Sequence, residues 1–368
     1  MSPNPLLRLG ELGQSPWYDF ITRDLVTSGE LARLIAEDGL LGMTTNPTIF
    51  EKAIAGSPVY DDAIRRHAAE GQSPAQVFEA LAVADVRAAC DLFRPAYERT
   101  GGRDGLVSIE VAPTLANDTD ATVEEAERLW AAVSRPNAMI KIPGTRAGLP
   151  AITRCIADGI NVNVTLLFSV ERYEEVIAAY EAGLELRVKR GLPLERVASV
   201  ASFFVSRVDS KVDPLLDRLG DPAGLRGRIA VANACLAFRT FEAATARPRW
   251  DALAARGARV QRPLWASTST KDPRYPDLHY VEPLIAPRTV TTLPPETFAA
   301  YRDHGRPEVR IHAGILAAEG QLDALEDQGI DLRGITLELE DEGVGRFAQS
   351  YRSLLASVEA KADVLTAR

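Results

Sequence analysis

Cysteine and histidine are scarce here, with three of the first and four of the second in 368 residues. Cys90, Cys155 and Cys235 lie far apart and form no CxxC pair, so neither a zinc site nor a disulfide framework is indicated. His67, His279, His304 and His312 have no ligand spacing, and no metal is expected. Positive charge is also in deficit: 42 Lys plus Arg stand against 51 Asp plus Glu, a net charge of -9. Without a basic run or a global positive field, non-specific nucleic-acid binding is excluded, and an anionic substrate must be held by a few placed cations. No apolar run reaches the ~18 residues of a membrane span, and the segment from Met1 to Gly13 lacks the apolar stretch of a secretory signal. The expectation is a soluble cytoplasmic protein, off the membrane. No GxGxxG follows the first strand pattern and no GxxxxGK[ST] occurs, which weakens any nucleotide-binding reading.

What is present is apolar material for a large core, 46% hydrophobic against 25% charged. Short apolar runs alternate with helical patterns eight times. Strands are expected near Trp17–Asp19, Leu41–Thr45, Leu106–Val111, Ala138–Ile142, Val162–Leu167, Val197–Phe203, Pro263–Ala266 and Val290–Thr292. Thr27-Ser28-Gly29-Glu30 and Thr122-Val123-Glu124-Glu125 have the form of capping boxes, and Ser169 that of a helix cap. Long helical patterns cover Ala75–Leu92 and Leu225–Ala246. Eight such units predict a closed (β/α)8 barrel rather than an open sheet. One domain is expected over residues 1–368, with a proline-rich loop over Pro263–Pro295. A helical segment over about 312–368 packs outside the barrel or lies across it.

Lys141 lies in the almost wholly apolar run Ala138-Met139-Ile140-Lys141-Ile142. An ammonium there is costly to desolvate unless it is paired or neutralised. A free lysine titrates near ~10.4, whereas a neutral amine attacks carbonyls and forms Schiff bases. The alternative is a core lysine paired with a carboxylate or reaching water at a strand end.

Catalytic groups in a barrel gather at the C-terminal ends of the strands. Asp19, Asn46, Glu110 and Lys141 fall at such positions on the first four strands; Asn163, Thr165, Ser202 and Ser267 do so on the fifth to seventh, with Arg207 and Lys271 just beyond. One lysine, two carboxylates, amides, hydroxyls and two cations are the parts of a Schiff-base aldol reaction. The iminium is the electron sink, carboxylates move protons, amides fix hydroxyls and an arginine grips phosphate. Singly, each has a plainer reading: Asp19 and Glu110 as structural rim acids, Asn46 as a turn residue before Pro47, Thr165 and Ser202 as ordinary strand residues, Arg207 as a surface helix residue.

Several longer stretches carry a resemblance. They are Gly42-Met43-Thr44-Thr45-Asn46-Pro47, Val107-Ser108-Ile109-Glu110-Val111, Ile160-Asn161-Val162-Asn163-Val164-Thr165-Leu166-Leu167-Phe168-Ser169, Ser202-Phe203-Phe204-Val205-Ser206-Arg207 and Arg262-Pro263-Leu264-Trp265-Ala266-Ser267-Thr268. Together with Trp17-Tyr18-Asp19-Phe20 and Met139-Ile140-Lys141-Ile142-Pro143-Gly144-Thr145, they resemble the bacterial transaldolases over about residues 14 to 300. The resemblance implies an enzyme of the pentose phosphate pathway that needs no cofactor. It implies transfer of a dihydroxyacetone unit from sedoheptulose 7-phosphate or fructose 6-phosphate to glyceraldehyde 3-phosphate or erythrose 4-phosphate.

By position, Lys141 would form the imine and Asp19 take the C4 hydroxyl proton. Glu110 and Thr165 would serve a proton-relay water, and Asn46, Asn163 and Ser202 would hold the three-carbon unit. Arg207 would bind the phosphate with Ser267. Where a second arginine is usual, Thr268-Ser269-Thr270-Lys271 follows, which makes Lys271 the candidate. Glu110 and Phe204 stand where the related fructose-6-phosphate aldolases tend to have glutamine and tyrosine, so transfer is expected over simple cleavage. The partners implied are sugar phosphates, with the chain acting as a monomer or homodimer.

Overall fold

A computed structural model describes residues 4–366. Eight parallel strands close into a barrel in chain order, with β8 pairing β1. They are β1 Gln14–Asp19, β2 Gly42–Thr44, β3 Leu106–Glu110, β4 Ala138–Pro143, β5 Val162–Leu167, β6 Ser199–Phe204, β7 Arg262–Ala266 and β8 Thr289–Leu293. All eight expected strands are present within a few residues of the expected bounds.

The helices before β4 are α1 Pro5–Glu11, α2 Arg23–Thr27, α3 Glu30–Glu37, α4 Pro47–Gly56, α5 Asp61–Ala69, α6 Pro74–Arg99 and α7 Thr119–Val133. Those from β4 to β8 are α8 Gly148–Asp158, α9 Val170–Lys189, α10 Ser206–Leu219, α11 Ile229–Thr245 and α12 Pro248–Ala254. Beyond β8 come α13 Pro295–His304, α14 Ile311–Asp327 and α15 Leu332–Thr366. No helix among the described residues is long and apolar enough to cross a membrane.

Register sets the chemistry of the barrel interior. Glu110 on β3 pairs with Lys141 on β4, and Lys141 pairs with Asn163 on β5. Because side chains alternate faces along a strand, these three stand side by side at one level. Asn163 donates to Ser108 Oγ at 3.0 Å and accepts from Ser202 Oγ at 2.7 Å. Both ends of the Asn163 amide are thereby satisfied, which offsets the cost of removing it from water. Close packing is enforced elsewhere: a Cβ at Gly42 would fall 2.4 Å from the Trp17 ring.

Both expected capping boxes are absent. Thr27 closes α2, which Thr22 caps by accepting from the Leu25 N–H, and Gly29 with φ 89° begins α3. Thr122 lies inside α7, which begins three residues earlier behind Asp118. In both places an upstream residue had already started a helix. Ser169 does cap α9, accepting from the Arg172 N–H at 3.1 Å. α11 begins at Ile229 rather than Leu225, because the Asp221 carboxylate draws the Leu225 and Arg226 N–H groups into a turn. The segment after β7 contains a 3-10 turn at Glu282–Leu284, and Pro263 and Pro295 belong to β7 and α13.

The last helix lies across the C-terminal mouth rather than outside it. α15 packs on α4, α5, α6, α10 and β5. Gly343 is the close approach: a Cβ there would sit 3.0 Å from Leu166 of β5. Ion pairs Arg172–Glu340 at 3.1 Å, Lys211–Glu338 at 3.2 Å and Lys361–Asp61 at 2.8 Å secure its length.

Candidate active site

The strand ends open into a cavity of about 470 Å³. Asp19, Asn46, Lys141 and Thr165 line it, and so do Ser202, Arg207, Ser267 and Lys271. Two expected residues do not. Asn163 is fully buried and spends its amide on Ser108 and Ser202, so it sits beneath the cavity and orients Ser202. Glu110 lies behind Lys141 and borders a separate void of about 30 Å³ shared with Thr45 and Asn46, enough space for one water molecule.

Lys141 is 4% exposed. Its Nζ lies 3.3 Å from Glu110 Oε2 and donates to the Thr45 carbonyl at 3.1 Å. Among the described residues neither Glu110 oxygen has a well-aligned hydrogen bond, and its close neighbour is the Lys141 ammonium. Burial pushes the Glu110 carboxyl up to about 7, against the pull of Lys141 and with the help of Asp19. Asp19 is likewise raised by burial, opposed by Lys141, Lys271 and Arg207. Thr165 Oγ is buried without a partner, as is Thr44 Oγ on the same wall.

Asn46 answers to both of its readings. It caps α4 by accepting from the Ile49 N–H at 3.1 Å, with Pro47 at the first helical position, and it also lines the cavity. Its side-chain NH2 is left to face a ligand.

The cationic end of the site is built on aromatic rings. The Arg207 guanidinium lies 5.0 Å from the Phe204 ring centre and 5.9 Å from that of Phe347. Burial, and then the neighbouring Arg346, lower its pKa. Among the described residues Arg207 has no ion-pair partner, and its donors remain available for an anion. Lys271 stands at the rim, donates to Ser269 Oγ and has its pKa lowered by desolvation and by Arg207. Ser267 bonds Ser206 Oγ at 3.0 Å. Backbone strain concentrates here too: Ser267 at φ 56° and Leu166 at φ 61°, next to a β5 irregularity, both occupy the left-handed region.

Three lining residues were missed from the sequence. Lys52 on α4 adds a third cation, and Glu296 on α13 adds a carboxylate whose charge acts on Lys271. Phe347 of α15 lies 5.7 Å from Lys141 Nζ, measured to its ring centre. A phenylalanine in an amphipathic helix carries no signal that separates it from core; Lys52, in the second turn of the helix that Asn46 and Pro47 begin, carries one.

The model of the transaldolase/fructose-6-phosphate aldolase family matches residues 16–358. The chain belongs to that family. Similar proteins include "Transaldolase" of Acidothermus cellulolyticus, 53% identical over 357 residues and covering 96% of each chain. "Transaldolase 2" of Nostoc sp. is 47% identical over the full length of both chains, and "Transaldolase" of Thermobifida fusca is 49% identical, covering 96% of this chain and 97% of its own. The match thus covers all of the barrel but the first two residues of β1, and most of α15.

Proposed function

We propose that this enzyme is a transaldolase that moves a dihydroxyacetone unit between ketose and aldose phosphates through an imine on Lys141. The observation that carries the reading is the buried Lys141–Glu110 pair at 3.3 Å, with Lys141 lining a cavity that Arg207 also lines. Glu110, with its affinity for protons raised toward neutrality, takes the ammonium proton and leaves a neutral amine. The amine attacks C2 of fructose 6-phosphate or sedoheptulose 7-phosphate. Loss of water, with Glu110 and Thr165 handling the protons, gives the iminium.

Asp19 then removes the C4 hydroxyl proton, C3–C4 breaks, and the bonding pair moves onto the iminium to give an enamine. The shortened aldose phosphate leaves. The enamine carbon attacks glyceraldehyde 3-phosphate or erythrose 4-phosphate, and the steps reverse. Asn46 and Ser202 hold the three-carbon hydroxyls, while Arg207, Ser267 and Lys271 take the phosphate. Phe204 and Phe347 keep water from the enamine, which favours transfer over release of free dihydroxyacetone.

Borohydride reduction in the presence of fructose 6-phosphate, followed by peptide mass mapping, tests this. A three-carbon adduct on Lys141 is expected, absent in Lys141→Ala. A folded wild-type enzyme that gives no adduct, or one on another lysine, would overturn the assignment.

A further inference from the structure

The barrel has a second cavity, at its other end. It measures about 480 Å³, as large as the candidate active site, and opens at the N-terminal ends of β1, β3, β6 and β7. Its wall is apolar, built from Leu41, Leu106, Val200, Val260 and Pro287. Its charged groups are Arg103, Arg259, Arg262 and Arg288 against the single carboxylate of Asp104. In a chain of net charge -9, four arginines around one acid are a local reversal of sign.

Architecture accounts for only part of this. Arg262 is buried and fully engaged on one side: it pairs with Asp104 at 3.0 Å, donates to Ser15 Oγ at 2.7 Å and donates to the Arg103 carbonyl at 2.7 Å. That knot ties β7 to β1 and to the loop before β3. Asp104 is then shared with Arg103 at 3.2 Å. The other arginines remain over. Arg259 has no ion-pair partner among the described residues; Nη2 donates to the Gly101 carbonyl, and buried Nη1 has no hydrogen-bond partner. Arg288 is held only loosely: it pairs with Glu242 at 4.0 Å, donates to Thr245 Oγ at 3.4 Å and rests on the Phe241 ring at 4.9 Å. One guanidinium without an acid and a second paired only at 4.0 Å, beside an apolar hollow, suit a ligand with an anionic head and an apolar body.

We propose that this basal cavity binds a small organic anion, an aryl or short alkyl phosphate, sulfonate or carboxylate. Arg259 and Arg288 grip the head, and the wall of Leu41, Leu106, Val200 and Val260 covers the body. The site is separate from the one that meets sugar phosphates, and it does not depend on the imine mechanism. Its occupant would touch the same β1, β6 and β7 strands whose far ends carry Asp19, Ser202 and Ser267.

The test is a fluorescence titration of the full chain with 1-anilinonaphthalene-8-sulfonate. Saturable one-to-one binding is expected, unchanged in Arg207→Ala, where only the upper cavity is altered. It should weaken about tenfold or more in Arg259→Glu/Arg288→Glu, the loss of two charge-assisted contacts. That variant should melt like the wild type and keep its transfer activity. Arg259→Lys/Arg288→Lys, which keeps the charge, should retain most of the affinity. Three results would overturn the proposal: no saturable binding, binding lost in Arg207→Ala, or binding unaltered in the charge-reversed variant. Displacement of the probe by inorganic phosphate as effectively as by phenyl phosphate would overturn the assigned ligand class, because the apolar wall would then contribute nothing.

Discussion

Glu110 and Lys141 show how two neighbouring residues define each other. Among the described residues neither Glu110 oxygen has a well-aligned hydrogen bond, and burial pushes the carboxyl up to about 7. In the proposed mechanism the carboxylate form is the one needed, so kcat/KM should rise with pH through an acid limb centred near 7. Glu110→Gln keeps the shape and removes the titration. Its kcat should fall about 10²–10⁴-fold, the usual worth of a positioned acid–base group, and the limb near pH 7 should vanish. A Glu110→Gln profile that retains that limb would assign it to another group. Lys271 belongs to the same scale. Lys271→Ala should raise KM for fructose 6-phosphate about tenfold with little change in kcat, as expected for a lost charge-assisted contact. Lys271→Arg should restore it. An unchanged KM in Lys271→Ala would remove the residue from the phosphate site.

At the scale of elements, α15 is part of the site rather than an appendage. It brings Phe347 to within 6 Å of both Lys141 and Arg207, by ring-centre distances of 5.7 and 5.9 Å. Phe347→Ala should raise KM for phosphorylated donors several-fold, because one face of the Arg207 clamp is lost. It should also increase release of free dihydroxyacetone relative to transfer, because water reaches the enamine. Product analysis with and without acceptor measures the ratio; an unaltered ratio would make Phe347 a packing residue only.

The elements differ in how legible they were. Strand positions were readable because a polar residue inside an apolar run, such as Lys141 or Asn163, is expensive without a reason. The orientation of Asn163 was not readable, since its hydrogen bonds to Ser108 and Ser202 depend on register across three strands. Helix starts were misjudged at Thr27 and Thr122 because a cap motif is local, whereas the start belongs to whichever upstream residue caps first, here Thr22 and Asp118. Phe347 was invisible because a helix's buried face reads alike over core and over a cavity.

The whole molecule carries its acidity partly inside, and that sets a pH dependence of stability. On α10, Asp209 accepts from the Ala230 N–H at 2.7 Å and the Tyr280 hydroxyl at 3.1 Å. One turn on, Asp213 accepts from the Gly227 N–H at 3.0 Å and the Tyr275 hydroxyl at 2.7 Å. The two acids bind α10 to α11 and to the loop before β8. Burial, and then the charge of Asp213, push the Asp209 carboxyl up to about 7. The folded state therefore holds a proton at Asp209 more tightly than the unfolded chain. This contribution to stability is fully present below the unfolded carboxyl pKa of about 3.9 and is lost as pH rises through about 7. A shift of about three units corresponds to at most a few kcal/mol. Asp209→Asn keeps an acceptor for the Ala230 N–H and cannot ionise. Urea unfolding should find the variant near or below wild-type stability at pH 5 and above it at pH 8. The crossing should fall where Asp209 gives up its proton. A stability difference that stays constant from pH 5 to pH 8 would mean that Asp209 is already ionised throughout, held by its donors against the charge of Asp213.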